Sequence, residues 1–272
     1  MARNELILER HDTVLWMTVN RPERRNAYTK DLFRRMADAL GDADEDRSIL
    51  AVVLTGSGDK AFSTGADLKP DTEYTPLSLD ELELVHPAVA YFRAAAAFSK
   101  PLVARVNGDA MAGGMGTLAM CYLAVAADHA RFALPEVRIG LFPSVIVASL
   151  RHLIPRRVIM EMALSGEFFS ADFAKEVGLV NYVVPSQNID AKVDWLVGRI
   201  IDKSPTAVRR GKHLLRHMWD MDLDASFAHG QNELAQLFTT ADHKEGIVAF
   251  NEKRKPIWPS LGCPGAYLHR SR

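Results

Sequence analysis

The sequence predicts an α/β protein on a mostly parallel sheet system, followed by a helical C-terminal module. Three observations carry that reading. Short apolar stretches rich in β-branched residues alternate with helical ones over about the first 200 residues, which favours parallel strands over a sandwich. The order strand, glycine turn, glycine-rich loop, helix occurs at 51–69 and again at 102–120. From about Asn188 to Asn251 the pattern turns to successive helices without a strand signal.

Each element has a local cause. Residues 5–19 hold two β-rich stretches, Glu5-Leu-Ile-Leu-Glu and Val14-Leu-Trp-Met-Thr-Val, split by the polar His11-Asp12, which predicts a hairpin. Thr29 is placed to cap a helix running to about Asp44. Ala51-Val-Val-Leu-Thr reads as a buried strand closed by Gly56-Ser-Gly, and a polar stretch at 70–78 reads as a surface loop. An alanine-rich helix then runs to Ser99, where Lys100-Pro101 stops it. Buried strands follow at Pro101-Leu-Val-Ala-Arg-Val and Tyr122-Leu-Ala-Val-Ala-Ala. The division expected is a core over 1–200 and a helical region over 201–272.

Composition narrows the function classes. The 272 residues are 48% hydrophobic and 25% charged, ordinary for a globular protein with a substantial core. A net charge of -1 gives no overall attraction to nucleic acid or an anionic membrane, so an anionic ligand needs local charge. Cys121 and Cys263 lie far apart outside any CxxC spacing, which speaks against a disulfide framework or a structural zinc site. The start lacks the apolar core of a secretory signal, and no apolar run approaches the roughly 20 residues of a membrane span. A soluble protein of the cytoplasm is expected.

Chemistry is concentrated in two glycine loops, Ala61-Phe-Ser-Thr-Gly-Ala-Asp-Leu-Lys69 and Asn107-Gly-Asp-Ala-Met-Ala-Gly-Gly-Met-Gly116. Gly65 permits unusual backbone angles, and Asp67 is placed to cap a helix turn after it. Each loop can present free backbone N–H groups at a helix start, where the macrodipole also favours negative charge. Two such donors on one carbonyl oxygen form an oxyanion hole. Neither loop has the spacing of a nucleotide cradle, GxxxxGK[ST] or GxGxxG.

These segments carry a family resemblance. AFSTGADLK at 61–69 and NGDAMAGGMG at 107–116 resemble the two oxyanion segments of the crotonase (enoyl-CoA hydratase/isomerase) superfamily. Ala133-Leu-Pro-Glu-Val-Arg-Ile-Gly-Leu-Phe-Pro143 is similar to its third segment, and NRPERRNA at 20–27, Leu164-Ser-Gly-Glu and Ala174-Lys-Glu-Val-Gly-Leu-Val extend the match in order. The resemblance implies a spiral of ββα repeats, a helical C-terminal trimerisation region, and trimers or dimers of trimers. It also implies that the N–H groups of Ala66 and Gly113 bind the thioester oxygen of an acyl-CoA. No cofactor is implied beyond the coenzyme A carried by the substrate.

Enolate chemistry needs a base beside the carbon next to the thioester carbonyl. Family hydratases commonly carry one glutamate at the end of the second segment and one in the third. Here the third-segment glutamate is Glu136, and the other position is Gly116. Two mechanisms stay open with one carboxylate. Either Glu136 activates water for addition to a 2-enoyl-CoA, the favoured reading, or it shuttles a proton along a 3-enoyl-CoA as a Δ3,Δ2-isomerase. In the first, another group or a water replaces the missing partner. Asp109, Tyr122 and Ser144 are the possible helpers; Asp109 and Tyr122 read as structural or peripheral, and Ser144 as lining the acyl pocket. Gly116 is also expected to free space for a branched or bulky acyl group.

Phosphates of CoA call for nearby cations. Arg24, Arg25, Lys69 and the run Lys253-Arg-Lys255 are the candidates, with the backbone of Ala61, Phe62 and Ser63 expected to receive the adenine. His213 and His217 have a metal-like spacing, but no carboxylate or third histidine completes a site, so His213, His217, His229 and His243 read as packing or surface residues. Met218, Trp219 and Met221 read as core or interface. Two other classes compete. A catalytically inactive CoA- or RNA-binding protein on the same fold is opposed by the near-neutral charge and by the retained Glu136, Ala66 and Gly113. A serine hydrolase using Ser63 or Ser144 fails for want of a GxSxG elbow and a placed histidine.

Overall fold

A hairpin opens the chain, as the alternation at 5–19 predicts. Strands β1 (Leu6–His11) and β2 (Val14–Val19) pair antiparallel from Leu6↔Val19 to His11↔Val14, and Asp12 turns the corner at φ 55°. The computed structural model describes residues 4–68 and 84–261. Beside β2, in parallel, lie β3 (Ala51–Gly56), β5 (Leu102–Val106), β7 (Leu123–Ala127) and β10 (Tyr182–Val184), giving a six-stranded sheet in the order β1-β2-β3-β5-β7-β10.

Every residue of β3 is buried, because both faces of this sheet are covered. Leu54, Ala104 and Ala126 point into a core shared with the helices α1 (Lys30–Glu45), α2 (Pro87–Ala97) and α3 (Gly113–Met120). Val53, Val103 and Val125 point the other way, against Val193, Leu196 and Val197 of α7 (Ile189–Ile201). Adjacent residues on a strand face opposite sides, so the apolar run supplies both cores at once.

A second sheet was not legible in the sequence. It consists of β4 (Ala61–Ser63), β6 (Asp109–Met111), β8 (Arg131–Ala133) and β9 (Phe169–Ser170), in that order, the first three parallel and β9 antiparallel to β8. The chain winds regularly between the sheets. A long strand in the first is followed by a glycine turn or short link, a short strand in the second, and then helix: β3 to β4, β5 to β6, β7 to β8. This is the expected winding of ββα units.

Helix α1 follows the predicted course. Thr29 accepts from Leu32 N at 3.1 Å as its N-cap, and Leu32, Phe33, Met36, Ala39, Leu40 and Ala43 form its buried stripe. At its other end the Lys100 ammonium donates to the Ala43 and Asp46 carbonyls, where a helix dipole favours a cation. After α3 come α4 (Ser144–Leu150), α5 (Arg156–Ser165) and α6 (Ala171–Glu176).

Helices α7, α8 (Pro205–Met218), α9 (Leu223–Phe238) and α10 (Ala241–Asn251) form the helical stretch. Of these, α7 belongs to the sheet it covers. Leu223, Phe227, Leu234 and Phe238 of α9 are exposed, as are Trp219 and Met221, so these last two are not core within one chain. The predicted loop at 70–78 lies outside the described residues. No helix among the described residues is long and apolar enough to cross a membrane.

Candidate active site

Strands β4, β6 and β8 are neighbours and run parallel, so their carboxyl ends open on one edge of the second sheet. Ala66 follows β4, Gly113 follows β6 and Glu136 follows β8. Three segments far apart in sequence are thereby delivered to one place, the edge where parallel sheets commonly bind ligands. Ala112 N donates to Ala133 O at 3.1 Å, which extends the β6–β8 ladder to the foot of both loops. Ala66, Gly113 and Glu136 are each half-buried, while all of β4, Asp109 and Ala110 of β6, and Phe132 and Ala133 of β8 are buried.

In the first loop, Tyr28 N donates to Gly65 O at 2.7 Å and Asp67 N donates to Tyr28 O at 2.9 Å. That is a single parallel bridge between Tyr28 and Ala66. In such a bridge Tyr28 uses both of its backbone groups, so the N–H of Ala66 faces away from it. Gly65 makes the approach possible. Its φ is +85°, and a side chain there would begin 2.7 Å from Gly113 N and 2.7 Å from Ala112 Cβ. The two loops therefore touch backbone to backbone beside Ala66 and Gly113.

In the second loop, Ala112 sits at φ 48° and ψ −122°, a conformation glycine adopts far more readily, and turns the chain sharply into α3. Gly113 is the first residue of that helix, so its N–H has no intrahelical partner. Neither Ala66 N–H nor Gly113 N–H has an acceptor among the described residues. The next glycine lets the helix lie on β4: a side chain on Gly114 would begin 2.2 Å from Ser63 O.

The scaffold under the loops is polar and was missed from sequence. Asn26 Nδ2 and Asn107 Nδ2 both donate to Ala61 O, at 2.7 and 3.1 Å. Asn26 Nδ2 also reaches Ser57 O, and Asn107 Nδ2 reaches Gly58 O, so two buried amides clamp the β3–β4 turn. Buried Arg21 donates to Asp67 Oδ2 at 2.8 Å, to Glu5 at 2.8 Å and to Ala27 O at 2.6 Å. The Asp67 carboxylate thus holds the first loop to the 20–27 segment; the helix turn it was expected to cap would reach beyond the described residues. The Tyr28 ring is buried between the loops, and burial pushes its phenol up to about 12. Both asparagines and Arg21 stood inside the matched motifs, and the signal that would have found them is an amide or guanidinium among residues bound for burial.

Glu136 lies in a 3-10 turn, Pro135–Ile139, closed by Gly140 in the left-handed region. Its Oε2 is buried and has no hydrogen-bond partner among the described residues, and desolvation raises its pKa above the ordinary carboxylate value. A buried carboxylate oxygen without a partner is costly and rare, and it fits a proton carrier whose partner is the substrate.

The space expected over Gly116 is filled. A side chain there would begin 2.7 Å from Phe92 Cζ and 3.0 Å from Ile146 Cδ1, and both residues are buried. The expectation that Gly116 itself leaves room for a bulky acyl group at this point is therefore corrected. Two apolar side chains occupy it.

The remaining candidates scatter. Arg25 is exposed, and its carbonyl accepts from Thr64 N at 3.2 Å beside the first loop; Arg24 is half-buried in the adjoining 3-10 turn Pro22–Arg24. Ala61, Phe62 and Ser63 are at most 2% exposed as whole residues, and the Ala61 carbonyl is taken by the asparagines. They form the short strand β4 from which the first loop departs. Lys69 lies outside the described residues. Ser144 is exposed at the start of α4, two residues from Ile146. Asp109 is structural, as read: its carboxylate binds Arg131 at 2.7 and 3.1 Å and ties β6 to β8. Tyr122 is partly exposed beside Lys212, 5.3 Å from ring centre to ammonium. Lys253 is exposed, and the chain after it is fastened by Trp258 Nε1 to Asp202 O and by Ser260 to Asp242, at the end of α7 and the start of α10. Within one chain this run does not join the three loops. The rings of His213 and His217 lie 4.3 Å apart, and no group of three or more metal-binding side chains occurs among the described residues.

The family described as enoyl-CoA hydratase/isomerase matches residues 9–260. The short-chain-enoyl-CoA hydratase of Clostridium acetobutylicum is 31% identical over 94% of this chain and 97% of its own. The 2,3-dehydroadipyl-CoA hydratase of Escherichia coli is 34% identical over 93% of this chain and 98% of its own. Among solved structures, the enoyl-CoA hydratase of Mycobacterium smegmatis superposes with a TM-score of 0.87 at 35% identity, covering 94% of this chain and 99% of that one. The fold is that of the crotonases, and the chain belongs to the enoyl-CoA hydratase/isomerase family.

Proposed function

We propose that the chain hydrates a 2-enoyl-CoA with Glu136 as its one proton carrier, the N–H groups of Ala66 and Gly113 holding the thioester oxygen. The observation that carries this reading is the convergence of the Ala66, Gly113 and Glu136 segments at the carboxyl ends of three adjacent parallel strands.

The steps balance with one carboxylate. Glu136 takes a proton from water as the water oxygen bonds to the β-carbon. The electrons of the carbon–carbon double bond move to the thioester oxygen, where two backbone N–H groups stabilise the enolate; one such donor is worth roughly 3 kcal/mol. Glu136, now a carboxylic acid, gives its proton to the α-carbon and returns to the carboxylate. A raised pKa suits both halves, since the group must accept and then release the same proton.

One observation favours a second reading. With Phe92 and Ile146 packed over Gly116, no second carboxylate stands at that position among the described residues, and a Δ3,Δ2-isomerase needs only one base. Glu136 would then take a proton from C2 of a 3-enoyl-CoA and return it at C4. Product mass decides between them: a 2-enoyl-CoA that gains one water supports hydration, and a 3-enoyl-CoA converted at unchanged mass supports isomerisation.

CoA phosphates are assigned to Arg24, Arg25 and Lys69 at the first loop, with Lys253 supplied by a neighbouring subunit. Assembly into trimers or dimers of trimers is supported by the exposed apolar residues of α9. Sedimentation of the protein tests it.

A further inference from the structure

Phe92 lies outside the matched motifs, and its ring packs over Gly116. Gly116 lies three residues after Gly113 in α3, about 4.5 Å along the axis from the N–H assigned to the thioester oxygen. Over it lie the tip of the Phe92 ring, 2.7 and 3.1 Å from where a side chain would begin, and Ile146 Cδ1 at 3.0 Å. Phe92 is also anchored. It contacts Tyr91 and Phe33 with ring centres 5.4 and 6.1 Å apart, and it is 7% exposed. Bulk at 116 and bulk at 92 are therefore alternatives.

We infer that Phe92, backed by Ile146, is the specificity-determining residue of the site: it confines the acyl group to one that is unbranched at the carbon next to the thioester. The inference rests on the proposed placement of the thioester at Ala66 and Gly113. An anchored ring packed over a backbone without a side chain leaves no room for another carbon at that point, and one misplaced methylene commonly changes recognition 10-fold or more.

The test reads binding, so it does not depend on turnover. Butyryl-CoA and isobutyryl-CoA, both saturated, are titrated calorimetrically into the full chain, into Phe92→Leu and into Ile146→Val. The native protein is expected to prefer butyryl-CoA at least 10-fold, and Phe92→Leu to reduce that preference to threefold or less, with Ile146→Val between them. A preference unchanged in a folded Phe92→Leu overturns the inference while leaving the proposed function intact. Failure of either ester and of free CoA to bind takes down both. A thermal-unfolding cycle supplies the second readout: Gly116→Ala should lower Tm in the native background and much less in Phe92→Leu. Equal losses in both backgrounds would overturn the claim that the two positions share one space.

Discussion

Asn26 and Asn107 donate to one acceptor, the carbonyl oxygen of Ala61, from 2.7 and 3.1 Å. The two residues come from different turns of the winding and meet under the first loop. Replacing either by alanine leaves buried backbone groups without a partner, and each such group costs about 1–3 kcal/mol. Each amide also accepts a backbone N–H at its Oδ1, Asn26 from Arg21 N and Asn107 from Gly56 N, both at 3.1 Å, so either replacement strands a donor as well. Urea unfolding should place Asn107→Ala below the native protein by at least that amount.

Gly65→Ala should remove activity out of proportion to its size. The position has φ +85°, and an added Cβ would meet Gly113 N at 2.7 Å, so the loops must separate. If these loops hold the oxyanion, kcat falls 100-fold or more, by analogy with loss of one oxyanion donor at about 10²–10³. Free CoA should still bind, and calorimetry checks this.

Glu136 gives a pH prediction with a definite sign. Its folded pKa lies above the ordinary carboxylate value because burial disfavours the charge. The folded protein therefore binds this proton more tightly than the unfolded chain. Stability from this group is greatest at low pH and falls as pH rises through the window between the ordinary and the raised value. Above that window the ionised group remains a cost, so Glu136→Gln should melt higher than the native protein at neutral pH. The acid limb of kcat/KM should sit above the ordinary carboxylate range.

Arg21 and Asp67 form a buried ion pair at 2.8 Å. Stranding a buried charge commonly costs about 3–5 kcal/mol, but Arg21 without Asp67 keeps the Glu5 carboxylate at 2.8 Å and the Ala27 carbonyl at 2.6 Å. Asp67→Ala should therefore be destabilised by less than that amount in chemical denaturation. Asp67→Asn, which keeps an acceptor oxygen, should lose less.

Much of this fold was legible in the sequence because the first sheet is made of long apolar runs. Ala51-Val-Val-Leu-Thr and Leu102–Val106 read as strands, and Thr29 capped its helix where expected. The second sheet was not legible, because strands such as Ala61–Ser63 and Asp109–Met111 are too short to show a period. Of the site, Ala66, Gly113 and Glu136 were named from motifs, and the fold places their segments together. Phe92 escaped notice because it lies in an ordinary alanine-rich helix, and its meaning depends on Gly116, to which only the tertiary fold brings it. Gly116 itself was seen as empty space, since a sequence does not reveal what another helix puts there.

The claim that Glu136 is the sole proton carrier is tested most directly by Glu136→Gln. The measurement is kcat/KM on a 2-enoyl-CoA and on a 3-enoyl-CoA, with acyl-CoA affinity determined beside it. Glu136→Gln should lose about 10²–10⁴ in whichever reaction the native protein performs, the contribution of a positioned acid–base group, with affinity within a few-fold of native. Turnover within about 10-fold of native would contradict it and move the proton transfer to another residue.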